Sequence, residues 1–390
     1  MKHPRSMAAS ALFPSVLLVM VAGGPRVTAQ DAGGPARRLD CAALAGLQLT
    51  NARITEAAAM PVPATGSIKV AHCRVSGVID KEIRFTALLP DRWNQRFFGG
   101  GGGGFSGSVS NQAQASANFG YATIGTDTGH QAEGTDASWA LNNPERQTNY
   151  GSLGIHRTTE IAKAVVKAYY GTDPIHSYFF GCSNGGRQGL MEAQRFPADY
   201  DGIVSGAPAL DFTNIAAAFV KHMQAVFPDP RALADRALPP ATLQLLETKV
   251  LDSCDARDGV KDGILDDPRE CRFRIADLPA CTGDASSSGC VTSAQRTIIE
   301  RLYAPVATGG TAIYPGQPFG GEGQQGGWQA WITGVNTPPS GPPNRPPSLQ
   351  FAFGTEFFKY FVFGSPGWDY SKYDMASWAE IGRASCRERV

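Results

Sequence analysis

Net charge is the first thing this sequence lacks: 35 Lys and Arg are matched by 35 Asp and Glu, a formal +0 over 390 residues. That balance argues against a nucleic-acid binder and against a polybasic membrane protein. A membrane-spanning run is also missing. The one long apolar stretch, near Ala8–Val21, is broken by Pro14 and falls short of the ~20 residues a span needs. It follows Lys2 and Arg5 and precedes Val27-Thr28-Ala29, which resembles an A-x-A cleavage site. Residues 1–29 are therefore expected to be a signal peptide, and the protein to be secreted or periplasmic.

Glycine and proline are abundant, at 45 and 27, which suits a loop-rich exported enzyme better than a helical bundle. In an oxidising compartment the 8 cysteines should mostly be paired. Sequence proximity suggests Cys41–Cys73, Cys254–Cys271 and Cys281–Cys290, which leaves Cys182 and Cys386.

Strand-like segments at 68–73, 83–89, 96–98 and 121–126 precede the helical spacing of Ile161, Ala164, Val165 and Ala168, which ends at Gly171. A strand at Tyr178–Phe180, a helix and the strand-like "YDGIVSGAPAL" follow. The alternation predicts an α/β core with a largely parallel sheet over 30–211. From Phe212 to 379 the character changes to helices, cysteine loops, Gly/Pro-rich linkers and an aromatic segment, 351–368, as expected of a separate insertion over the core.

Gly181-Cys182-Ser183-Asn184-Gly185 fits G-x-S-x-G between a strand and a helix. In a nucleophile elbow the serine stands on a strained turn, and glycine two residues either side avoids a clash. Ser183 would then be the nucleophile, and the Asn184 N–H an oxyanion donor. An ordinary serine in a glycine-rich turn is the alternative. "RFFGGGGGGFSGS" (96–108) could supply the second donor from Gly102 or Gly103; a flexible linker is its plainer reading. It lacks the Gly-Lys-Ser/Thr ending of a phosphate-binding loop. "CDARDGVKDGILDDPREC" (254–271) sets Asp255, Asp258 and Asp262 among glycines, either an acidic turn or a Ca²⁺ loop of hard oxygen donors.

Histidine is scarce. Of His3, His72, His130, His156, His176 and His222, only His222 follows Ser183. An α/β-hydrolase triad runs Ser, acid, His, and His222 lies too soon after the elbow, in a segment with helical spacing. No histidine here fits the general base.

"GYATIGTDTGH", "GCSNGGRQGLMEAQRFPADYDGIVSGAPA" and "CDARDGVKDGILDDP" resemble the tannase/feruloyl esterase family of α/β-hydrolases, over roughly residues 40–379. The resemblance implies a secreted serine carboxylic-ester hydrolase acting on aromatic or phenolic acid esters, small or attached to a plant polymer. It implies no organic cofactor and no nucleic-acid partner. It assigns Ser183 as nucleophile, Asn184 and a glycine of the run as oxyanion donors, and the insertion over 212–379 as a lid bearing the aromatic pocket. It implies a structural Ca²⁺ held by Asp255, Asp258 and Asp262 with the carbonyls of Val260 and Ile264. It also pairs Cys182 with a cysteine directly after the catalytic histidine. That partner, the histidine and the triad aspartate fall beyond the lid in the family, so the C-terminal part of the core is expected to be missing and this chain to be inactive. "EIGRASCRERV" (380–390) resembles no part of the family and reads as an in-frame translation of a common DNA-sequencing adapter, so Cys386 is expected to be non-native. Competing readings are a non-catalytic secreted Ca²⁺-binding protein reusing the fold, and an α/β enzyme of another reaction, such as a nucleotide-binding one.

Overall fold

The structure is a computed structural model that describes residues 38–378 apart from 64, 236, 284–286, 325 and 335–345. The expected signal peptide, the 380–390 tail and Cys386 lie outside the described residues.

Seven strands form the central sheet: β1 (Ala52–Met60), β2 (His72–Ile79), β3 (Ile83–Pro90), β4 (Arg96–Gly100), β5 (Ala122–Thr126), β6 (His176–Cys182) and β7 (Gly202–Gly206). Their spatial order is β1-β2-β3-β5-β4-β6-β7. The first four neighbours pair antiparallel, while β5, β4, β6 and β7 run parallel. The sheet is thus mixed, and the expected parallel order holds for the half that carries the glycine run and the elbow.

Parallel neighbours cannot be joined by a tight hairpin and need a crossover. The crossover from β5 to β6 runs through α1 (Pro144–Thr148) and α2 (Gly154–Tyr170); α3 (Asn184–Arg195) links β6 to β7. Helix α2 buries Ile155, Ile161, Ala162, Val165, Val166 and Tyr169 at helical spacing, and Gly171 ends it at φ 77°. Each large apolar side chain so buried contributes roughly 1.5–3 kcal/mol. That face joins Phe85, Phe97, Ile124 and Phe179 of the strands in one core.

A second apolar cluster lies among α4 (Phe212–Val226), α5 (Pro240–Cys254), α6 (Ser293–Tyr303) and α7 (Leu349–Phe357). It also takes in Phe105, Ala137, Trp139 and Ala140, from segments before residue 212. Cys41–Cys73, Cys254–Cys271 and Cys281–Cys290 are disulfides, as their spacing suggested, and Cys182 is an exposed free thiol.

Candidate active site

The turn from β6 to α3 is strained at one residue. Ser183 has φ 61° and ψ −120°, a region an L-residue adopts only where its surroundings hold it. The surroundings do so on both flanks. Ser183 N–H donates to the Gly206 carbonyl at 3.0 Å, and the Ser183 carbonyl accepts from Arg187 and Ala209 N–H. Gln112 donates to the Cys182 carbonyl at 3.2 Å and accepts its N–H. A side chain at Gly181 would run into the Gly185 backbone, and one at Gly185 would stand 2.9 Å from Gln112 Oε1. The glycine spacing thus has the steric cause inferred from the sequence.

Asn184 opens α3 as a buried residue that ties the elbow to the glycine run. Its Nδ2 donates to the Gly102 carbonyl at 3.3 Å and to Ser106 Oγ at 3.1 Å. Its Oδ1 accepts from Arg187 Nε at 2.9 Å and lies 3.1 Å from the Tyr150 hydroxyl. Arg187 also donates to the Tyr150 and Gly151 carbonyls, and its guanidinium lies 4.8 Å from the Tyr150 ring centroid. Burial raises the Tyr150 hydroxyl pKa, so it stays a neutral donor.

The glycine run meets the elbow differently from expectation. Gly102 N–H is committed to Gln188 Oε1 at 3.0 Å, so it is not free for an oxyanion. Gly102 and Gly103 line a hollow with Ser106, Gln131 and Glu133, whereas Gly104 lines the cavity that holds Ser183. That cavity measures about 860 Å³. Phe212, Phe353, Phe357, Phe361, Trp331 and Tyr150 form aromatic wall, with Asn184 and Arg187 among its polar groups. Phe353, Phe357 and Phe361 belong to the aromatic segment 351–368. Phe358 and Trp368, from the same segment, stack on each other at 4.8 Å, and Phe358 is fully buried in the lid core. Phe212 and Trp331 lie outside that segment, and isolated aromatics carry no signal of which face meets the elbow.

No described histidine hydrogen-bonds to Ser183. His72 Nδ1 contacts the Val70 carbonyl, and His156 Nδ1 pairs with Asp199 at 2.7 Å. His176 Nδ1 lies 3.8 Å from Asp201. His130 Nε2 donates to the Phe105 carbonyl, and the ring stacks on Trp139 at 3.6 Å. His222 Nδ1 donates to Gln350 Oε1. Burial lowers the pKa of both His130 and His222 to about 4.

In the loop from Cys254 to Cys271, the acidic side chains bind their own backbone. Asp255 accepts from Gly263 N–H, Asp258 from Val260 and Asp266, and Asp262 from Ile264. Asp255 is buried, and Gly259 and Gly263 turn at φ 97° and 82°. Val260 and Ile264 are 57% and 60% exposed, so a cation here would meet their carbonyls rather than their side chains. The donor chemistry suits Ca²⁺, although the three carboxylates do not gather as closely as His156, Glu192 and Asp199 do.

Similarity to known proteins follows the same segments. An esterase of Xanthomonas campestris is 36% identical over 362 residues, covering 88% of this chain and 60% of that protein. The mono(2-hydroxyethyl) terephthalate hydrolase of Piscinibacter sakaiensis is 34% identical over 324 residues, covering 71% and 54%. This chain thus spans little more than half the length of such relatives. The crystal structure of feruloyl esterase B from Aspergillus oryzae superposes with a TM-score of 0.75 at 27% identity, over 88% of this chain and 68% of that one. The profile described as tannase and feruloyl esterase matches residues 67–376, which include the glycine run, the elbow and most of the lid. With its strained serine turn at the end of a strand of a mixed α/β sheet and facing an aromatic-walled cavity, this chain belongs to the tannase and feruloyl esterase family of ester hydrolases.

Proposed function

We infer that this protein is the nucleophile-bearing part of a secreted serine esterase acting on aromatic acid esters. The observation that carries this reading is Ser183, held at φ 61° on an elbow that opens into an aromatic-walled cavity. Ser183 Oγ attacks the ester carbonyl, and the alcohol leaves from the tetrahedral intermediate to give an acyl-enzyme that water then hydrolyses. Asn184 N–H faces the developing oxyanion, and Asn184's side chain fixes the glycine run beside it. The Gly102 bond to Gln188 leaves Gly103 or Gly104 to supply the second donor, and Gly104, which lines the serine cavity, is the better placed. The flat aromatic wall suits a phenyl or cinnamoyl acid.

The base and its carboxylate partner lie in sequence beyond these residues. Two observations favour this: no described histidine is bonded to Ser183, and the relatives are longer. Among the described residues β7 is an edge of the sheet, where further strands of a complete core would pair. Cys182, exposed and unpaired, is poised for the disulfide expected beside the catalytic histidine. The lid loop holds one structural Ca²⁺ through Asp255, Asp258, Asp262 and the carbonyls of Val260 and Ile264. The ion would rigidify the lid and take no part in the reaction.

The test is a hydrolysis panel of methyl ferulate, methyl gallate and mono(2-hydroxyethyl) terephthalate on the product of the extended reading frame. At least one aromatic ester should be cleaved, and Ser183→Ala should abolish the activity. Turnover that survives Ser183→Ala would refute the serine mechanism. A fully inert but folded product would favour the alternative, a non-catalytic Ca²⁺-binding protein.

A further inference from the structure

A second cluster of reactive side chains lies apart from the serine cavity. His156 on α2, Glu192 on α3 and Asp199 in the loop before β7 each bring a donor atom within 4.8 Å of the other two. Among the described residues no other such trio converges so closely. Glu192 is 0% exposed, and as a carboxylate it has no donor to either oxygen. Burial, with the Asp199 carboxyl within hydrogen-bond reach, pushes its pKa up to about 9. An uncompensated buried carboxylate is costly, so something must neutralise it. A proton shared with Asp199 would engage one Glu192 oxygen and leave the other bare.

We propose that His156, Glu192 and Asp199 form a binding site for one divalent transition-metal ion of the Zn²⁺ class. One imidazole nitrogen and two carboxylates suit that class, with a fourth position for water. Around Zn²⁺ the donors lie about 2.0–2.2 Å from the metal, hence about 3.3 Å from each other in a tetrahedron. The trio therefore needs only small side-chain shifts, from a His156–Asp199 separation of 2.7 Å and an outer limit of 4.8 Å.

The surroundings support the assignment. Phe196 stacks on the His156 ring at 3.8 Å and 5°, fixing its plane. Glu160 Oε2 lies 3.8 Å from the outer nitrogen, Nε2, too far for a hydrogen bond but near enough to close on it once Nδ1 ligates an ion. Lys163 Nζ binds the Asp199 backbone carbonyl. A divalent ion balances Glu192 and Asp199, while Lys163 and Glu160 offset one another. His156 is partly accessible, which gives an ion a way in. The site would brace α2, α3 and the loop together, about 12 Å along α3 from the elbow. It is structural rather than catalytic.

The experiment is Zn²⁺ titration of the dialysed chain by calorimetry, with the metal content confirmed by elemental mass spectrometry. One Zn²⁺ per chain should bind at micromolar Kd or tighter, and raise Tm by a few degrees, about what a hundredfold excess over Kd gives. Glu192→Gln should weaken binding by ~100-fold or more, beyond the roughly 10–100-fold that loss of an outer-shell partner costs, yet its metal-free Tm should match or exceed that of the parent. His156→Ala should abolish the visible absorption of the Co²⁺ form, and Asp258→Ala in the lid should leave Zn²⁺ binding unchanged. No stoichiometric Zn²⁺ at hundreds of micromolar, or Zn²⁺ retained in both Glu192→Gln and His156→Ala, would overturn the site and leave a shared proton in its place.

Discussion

At the residue scale, the buried histidines set the acid limit of the fold. His130 and His222 are each 1% exposed and neutral, with folded pKa values of about 4 against 6.5 when unfolded. Depressed pKa values mean that the unfolded chain binds more protons between pH 6.5 and 4. The stability these groups contribute is therefore present above pH 6.5 and lost as pH falls towards 4, by roughly 3 kcal/mol for each histidine. Around His130 the charged groups are Arg146, Glu82 and Asp136; around His222, Lys221. Replacing His222 with Asn keeps a donor for Gln350 and removes the titration. Thermal melts from pH 7 to 4 should fall less steeply for His222→Asn than for the parent; equal slopes would exclude this origin of acid sensitivity. Ser183, Asn184 and the flanking glycines were legible because the elbow imposes its steric demands on a five-residue window. Gly102 was not, since the glycine run is uniform and only the distant Gln188 decides which N–H is taken. The trio of His156, Glu192 and Asp199 escaped for a similar reason: its spacing is set by how α2 meets α3, not by any local period.

At the scale of elements, periodicity served where burial is one-sided. Helix α2 was read to its final glycine. Strand β2 was expected at 68–73 and lies at His72–Ile79, because Gly77 interrupts its inward row. A side chain there would collide with the Phe85 ring, which fills the space instead. Strand β1 was missed. Its alanine-rich, half-exposed "ARITEAAAM" lacks clean alternation and carries a bulge between Ile54 and Glu56. The lid loop carries its own prediction. Chelation with EGTA, which prefers Ca²⁺, should lower Tm, and Asp258→Ala should remove that sensitivity. Identical melts with and without chelator would leave an acidic turn closed by Cys254–Cys271.

At the scale of the whole molecule, there are two large apolar cores, one between the sheet and its helices and one among α4–α7, and aromatic residues packed in or against the second line the serine cavity. The sheet positions Ser183, and the lid supplies aromatic wall. A serine hydroxyl without a general base stays protonated and is a poor nucleophile. Loss of the base in a triad hydrolase costs about a million-fold in turnover. The most direct measurement is the pre-steady-state burst with a p-nitrophenyl ester, taken for the 390-residue chain and for the product of the extended reading frame. The account predicts no burst from the 390 residues, and one acylation per Ser183 in the extended protein that Ser183→Ala removes. A Ser183-dependent burst from the 390-residue chain alone would contradict it and require His130, His156 or His222 to reach the serine.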